Sequence, residues 1–218
     1  RYTETLSHSA IFILLTSETS RKNVFGALEA KPDEYLAKPV NLNEFQRRLD
    51  KIVSEKEYFF AVNQALDKSD FERAVELIDG LSPSQPQYQN MAKQLKGFAL
   101  LRANKFTQAA AYYRQLIVTA PAEWALVGYA RALSGATRWD AAHKILSELY
   151  RKGARSLELF DVLTDTELEL GNLDAAQALL EEATDCSPNA ILRQALLGSV
   201  ARETCDYPVS EKADRRVI

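Results

Sequence analysis

One four-residue device recurs along most of this chain: a bulky residue, two variable residues, then alanine. It occurs as Phe71-Glu-Arg-Ala74, Phe106-Thr-Gln-Ala109, Trp139-Asp-Ala-Ala142 and Leu173-Asp-Ala-Ala176. The alanines step by 35, 33 and 34 residues, and twelve residues after them come Pro86, Pro121, Ala154 and Pro188. A fixed period of this length with helical patterning describes a helix–turn–helix unit. Such a unit cannot bury its apolar face alone and must stack on copies of itself. Gly80, Gly135, Gly153 and Gly171 fall near the turns this implies.

The same count predicts how each unit packs. Twelve residues before the alanines stand Val62, Gly97, Ala130 and Thr164, small or medium in every case, where two helices must cross closely. Four residues after the alanines stand Ile78, Tyr113, Leu146 and Leu180, which should fill the core between units. A final helix over about Asn189 to Thr204 is expected to cover the last apolar face. The tail from Asp206 to Ile218, with Pro208 and mixed charge, is expected to be loosely ordered.

Period and device together resemble the tetratricopeptide-repeat (TPR) family over roughly residues 55–190. The resemblance implies a mainly α fold, a helical solenoid of about four repeats plus a capping helix. It also implies a groove, lined by the first helix of each repeat, that binds protein partners. On the family register the lining includes Phe59 and Asn63, then Met91, Gln94, Phe98 and Arg102. Trp124, Val127 and Arg131 follow, then Glu158, Asp161 and Asp165. Some members grip a C-terminal carboxylate with fixed Lys, Asn and Arg residues. The matching places here hold Phe59, Asn63, Leu95, Trp124 and Gly128, so that clamp is not expected.

Charge sharpens the reading. The net charge of −3 argues against a general nucleic-acid or membrane binder. Between Leu157 and Leu192 there is no lysine or arginine but nine acids: Glu158, Asp161, Asp165, Glu167, Glu169, Asp174, Glu181, Glu182 and Asp185. Such a block either recruits a basic partner segment or is a solvated face. Trp124 and Phe98 are groove anchors or core residues. Cys186 and Cys205 lack metal-ligand spacing, and His8 and His143 have no partner arrangement for a metal. Reduced thiols and a cytoplasmic location are expected. No nucleophile–base pair, metal cluster or phosphate-cradling glycine loop marks an enzyme.

The first fifty residues read differently. Ile11-Phe-Ile-Leu-Leu15 is an apolar run rich in β-formers, consistent with a strand buried on both faces. Its parent run from Ala10 is far short of the roughly 20 residues of a membrane span. Thr16 to Ser20 supply capping groups, and Val24, Phe25, Ala27 and Leu28 predict a short amphipathic helix. Pro32-Asp33 is a breaker, Tyr35-Leu-Ala37 a second strand, and Lys38-Pro39 its end. Asn41 or Asn43 then caps a long helix. Strand, helix, strand, helix implies parallel strands. From Val40 to Asp79 there is neither glycine nor proline, so this helix either runs directly into the first repeat or kinks near Ser54-Glu55.

The strings Leu15-Thr16-Ser17-Glu18 and Tyr35-Leu-Ala-Lys38-Pro39 resemble the C-terminal half of a bacterial response-regulator receiver domain. The resemblance implies that the Thr16 hydroxyl and the Lys38 ammonium meet oxygens of a phosphoryl group. It also makes Tyr35 the aromatic whose rotamer tracks activation. Read without it, Thr16 caps a helix, Lys38 is solvated and Tyr35 is core. The phospho-accepting aspartate and the cation-binding acidic pair belong to the first half of that fold, which Arg1 to Ser9 cannot supply. Asp33, in a loop before a strand, cannot substitute. The chain is therefore expected to be a fragment, or to pair its exposed sheet edge with a second copy in a homodimer. No cofactor is expected in this chain, Mg2+ belonging only to an intact receiver.

These readings divide the chain into a partial α/β receiver-like segment over 1–53, a TPR array over 54–205 and a tail over 206–218. Function is expected to be that of a two-component response regulator whose output is protein–protein interaction. A histidine kinase would engage an intact receiver, and protein partners the TPR groove. The alternative is a constitutive TPR scaffold or adaptor with a receiver remnant that takes no phosphate.

Overall fold

The computed structural model of the chain describes residues 7–17, 32–81 and 85–217. The expected helix around Val24 to Leu28 lies outside the described residues. The chain divides into two compact units, Arg1–Lys105 and Phe106–Ile218, each taken by itself below.

In the first unit, strands β1 (Ile13–Thr16) and β2 (Glu34–Ala37) pair in parallel, in a register that sets Ile13 against Glu34 and Thr16 against Ala37. Leu36 is the strand residue that is buried. Ile11 and Leu15 remain exposed, so β1 is not buried on both faces as its apolar run predicts. Helix α1 (Leu42–Tyr58) starts at Asn41, whose side chain accepts from the N–H of Asn43. Helix α2 (Phe60–Asp67) follows after one residue. That residue, Phe59, has φ −94 and ψ 13, away from helical values, yet its N–H still reaches Glu55 O at 3.0 Å and its carbonyl accepts from Asn63 N at 2.8 Å. The path is nearly continuous, with its break at Phe59 and not at Ser54-Glu55.

The break coincides with the start of the first apolar core. Phe59 packs edge-on against Tyr58 and Tyr88, beside Val62, Ala65 and Leu66. Helix α3 (Phe71–Asp79) adds Ala74 and Ile78 to this core. After a short 3-10 turn at Pro86–Tyr88, helix α4 (Gln89–Arg102) adds Ala99.

The second unit is helical throughout its described residues: α5 (Phe106–Thr119), α6 (Glu123–Gly135), α7 (Trp139–Arg151), α8 (Leu157–Glu169), α9 (Leu173–Cys186), α10 (Ile191–Glu203) and α11 (Tyr207–Asp214). Each helix packs on the next, and α6 also touches α8, so these two first helices lie side by side. Its core gathers Leu133, Leu146, Leu159, Phe160 and Leu163, with the small residues Ala130 and Ala142 between them. Ala74, Ala109, Ala142 and Ala176 are all 0% exposed, as the crossing argument requires.

The same turn ends α2, α4, α6, α8 and α10. Ser69, Asn104, Thr137, Gly171 and Cys205 have φ of 57, 55, 57, 77 and 62. The next N–H reaches back five residues each time: Asp70 to Ala65 O, Lys105 to Leu100 O, Arg138 to Leu133 O, Asn172 to Glu167 O and Asp206 to Ala201 O. This left-handed cap closes each of these helices.

The recurrence at Cys205 corrects the expectation for residues 206–218. They are no loose tail: α11 packs on α10 as the second helix of a further hairpin. Asp206 caps α11 by accepting from Val209 N, and Pro208 sits in the first turn, where its missing N–H costs nothing. Helix α10 is thus a first helix and not the terminal cap. No helix among the described residues is long and apolar enough to cross a membrane.

Candidate partner-docking surface

Counting from the small residue of each second helix fixes equivalent places on the first helices. In the second unit one such row holds Trp124, Glu158 and Leu192, and another holds Arg131, Asp165 and Ser199. Arg131 and Asp165 are exposed, and Trp124 is half-buried with its ring edge toward Tyr113 at 6.3 Å. Tyr113 itself is core, and burial pushes its phenol far above the usual tyrosine range. Val127, between these rows, is buried at 3% exposure and so lies beneath the surface.

The nine acids do not form one face. Glu167 is buried, taking His143 Nε2 at 3.0 Å and the amide of Asn172 at 2.7 Å. Glu182 accepts from Arg155 Nε at 2.6 Å and from the Tyr150 hydroxyl at 2.5 Å, with the guanidinium lying over the Tyr150 ring. Glu167 thus braces α8 against α7 and the turn that follows, and Glu182 braces α9 against α7 and the loop after it. Glu158, Asp161, Asp165 and Glu169, by contrast, follow helical spacing along α8 and share one stripe. Asp161 is held by Arg193 in a two-point pair, 2.7 and 2.9 Å, which compensates a guanidinium whose burial lowers its pKa. Desolvation raises the pKa of Asp165, Arg131 pulls it down and Glu169 pushes it up.

In the first unit the expected lining is only partly at the surface. Phe59 and Asn63 are buried, at 1% and 6% exposure, with Phe59 in the first apolar core. They cannot meet a partner directly. Met91 is half-buried against the same core. Gln94, Phe98 and Arg102 are exposed, with the Arg102 guanidinium 5.4 Å from the Phe71 ring and 6.0 Å from the Phe98 ring.

Thr16 and Lys38 lie at one end of the strand pair, where Lys38 N–H donates to Thr16 O at 2.7 Å. Lys38 is exposed, and Tyr35 is half-buried opposite Leu14 in the ladder. Asp33 accepts from Phe12 N at 2.8 Å and pairs with Lys56 at 2.7 Å, so its carboxylate braces the loops.

One constellation escapes sequence reasoning. Asp67, at the end of α2, accepts from the Ser7 hydroxyl at 2.5 Å and the His8 N–H at 2.5 Å. The His8 ring follows at 2.9 Å and the Ser9 hydroxyl at 3.2 Å. Nothing in a run of Ser-His-Ser announces a partner some sixty residues away, and only the fold brings them together.

A scan against protein-family models finds no match, and no curated protein matches this chain. Solved structures do. A MamA double mutant (RS-1 ArsTM) superposes with a TM-score of 0.59 at 14% identity over 75% of this chain and 92% of its own. MamA 41-end from Desulfovibrio magneticus RS-1 gives 0.58 at 15% over 75% and 92%. A tetratricopeptide repeat protein from Parabacteroides merdae ATCC 43184 gives 0.58 at 15% over 90% and 86%. The fold is of the tetratricopeptide-repeat type. Likeness at these identities shows the fold alone, and it does not extend to a receiver domain.

Among the described residues no three His, Cys, Asp or Glu side chains are placed to hold a metal ion. What the first-helix face of α6 and α8 offers is a half-buried indole, an arginine and a carboxylate stripe. That is the chemistry of recognition by charge and an aromatic anchor.

Proposed function

We propose that this chain is a TPR-type scaffold or adaptor, and that a partner's basic segment binds the first-helix face of α6 and α8. The observation that carries this reading is the stripe of Glu158, Asp161, Asp165 and Glu169 on α8, on the same face as Trp124. Asp161 is already paired with Arg193, but Asp165 and Glu169, four residues apart on that face, repel by a few tenths of a kcal/mol. A partner of opposite sign recovers that cost and is steered toward the face. Trp124 supplies desolvated area that surface charge pairs, worth about 0–1 kcal/mol each, do not.

Selection from a random displayed-peptide library against the whole chain tests this. Enriched peptides should be rich in lysine and arginine, and should bind the Asp165→Lys/Glu169→Lys variant at least tenfold more weakly. Enrichment without charge bias, or equal binding to the variant, would sink the reading.

A second reading is a phosphorylation-controlled switch, in which a histidine kinase acts on an intact receiver and the repeats are its output. The backbone bond from Lys38 N–H to Thr16 O supports it, since the two residues then stand at one end of the strand pair. In this reading Thr16→Ala and Lys38→Ala each uncouple a phosphoryl analogue from partner binding. Coupling retained in both variants rules those roles out.

A further inference from the structure

Within the unit Arg1–Lys105 the corresponding face is already occupied. Lys56 holds the register place of Trp124 and Glu158, Phe98 that of Arg131 and Asp165, and Asp67 that of Glu169. All three meet residues 7–9. The Lys56 ammonium donates to His8 O at 2.9 Å, and the His8 ring lies tilted against Phe98 with centroids 6.0 Å apart. The Asp67 carboxylate collects both serine hydroxyls, the His8 N–H and the His8 ring.

We infer that residues 7–9 are a removable occupant of this docking surface, a ligand the chain supplies to itself. This rests on the first-helix face being the partner-binding face. The seated segment displays the chemistry the site selects: a tight turn, closed by Ala10 N–H donating to Ser7 O at 2.9 Å, that presents hydroxyl, backbone N–H and imidazole donors to one carboxylate, and a carbonyl to one ammonium. A partner segment with the same donors competes for the same atoms. The contact is built to release. Ser7 is exposed, His8 and Ser9 are half-exposed, and no large apolar side chain of the three is buried by it. The segment is therefore held by hydrogen bonds to one carboxylate and one ammonium, which a competing segment can replace, and not by the apolar burial that holds a core.

The test uses the full chain and a labelled peptide with the sequence of residues 5–12. In the Ser7→Asp/Ser9→Asp variant, carboxylates face Asp67 and empty the site, while Asp67, Lys56 and Phe98 remain. The peptide should bind this variant at least tenfold more tightly than the wild type, and adding Asp67→Ala should abolish the gain. The neutral Ser7→Ala/His8→Ala/Ser9→Ala variant should show the same gain. Amide exchange of residues 8–12 should rise at least tenfold in either variant, with α5 to α11 unchanged. Equal affinity for wild type and both variants, no binding to either variant, or unchanged exchange of residues 8–12 would overturn the inference. The acidic face of the other unit takes no part in this assay, so a negative result leaves that reading standing.

Discussion

Single residues carry the close approaches that the repeat needs. Gly128 of α6 faces the Tyr113 ring, and an added Cβ would overlap it. Two effects oppose in Gly128→Ala: helix propensity gains about 1 kcal/mol, while overpacking a tight core costs about 1–3 kcal/mol. The overlap should win, lowering stability by about 1–2 kcal/mol in urea titration with an unchanged slope; a stabilised variant would refute the contact. Asp67 makes a different prediction. Burial alone would raise its pKa, but the hydrogen bonds from Ser7, His8 and Ser9 outweigh it and hold the carboxyl at about 2. A folded value below the unfolded one, near 3.9, means the bonds stabilise the docked segment above about pH 4 and are lost as pH falls toward 2. The His8 ring resonances should follow that transition, and should not in Asp67→Ala. The crossing alanines were legible because their spacing is local to one repeat. Asp67 was not, because its donors lie 58 to 60 residues away in sequence.

At the scale of elements, four hairpin second helices were legible from bulky-x-x-Ala and a fifth was not. The fifth reads Tyr207-Pro-Val-Ser210, with serine where the others have alanine and Asp214 where they have Ile, Tyr or Leu. Ser210 does what the alanine does, buried at 5% exposure, and its hydroxyl donates to Gly198 O, the carbonyl of the crossing residue twelve places earlier. Polar bonds stand in for apolar contact here: Arg202 reaches Asp214 at 2.7 Å, and the Gln177 amide reaches Asp206 at 2.9 Å. Asp206→Ala removes both that partner and the cap of α11, so it should cost about 1–2 kcal/mol and free the amides of Tyr207–Asp214 to exchange first. A variant as stable as the wild type would mean that Val209, Ala213 and the bonds of Ser210 and Asp214 hold α11 without the cap. The break at Phe59 was equally hidden. The apolar stripe runs through it unbroken, and only the aromatic packing with Tyr58 and Tyr88 marks where the path changes.

For the molecule as a whole, the pattern of charge was legible but its division of labour was not. A count of nine acids in one stretch conceals that Glu167 and Glu182 serve the fold while α8 carries a stripe at the surface. The central claim is that partners meet the first-helix face, and the chain carries its own reporters for it. Its two tryptophans fall on opposite sorts of helix, Trp124 opening a first helix, α6, and Trp139 opening a second, α7. Titrating the tightest lysine- and arginine-rich peptide into isotope-labelled protein should move the Trp124 indole N–H resonance and leave that of Trp139 in place. A shift confined to Trp139 would put the partner on the second helices and contradict the account.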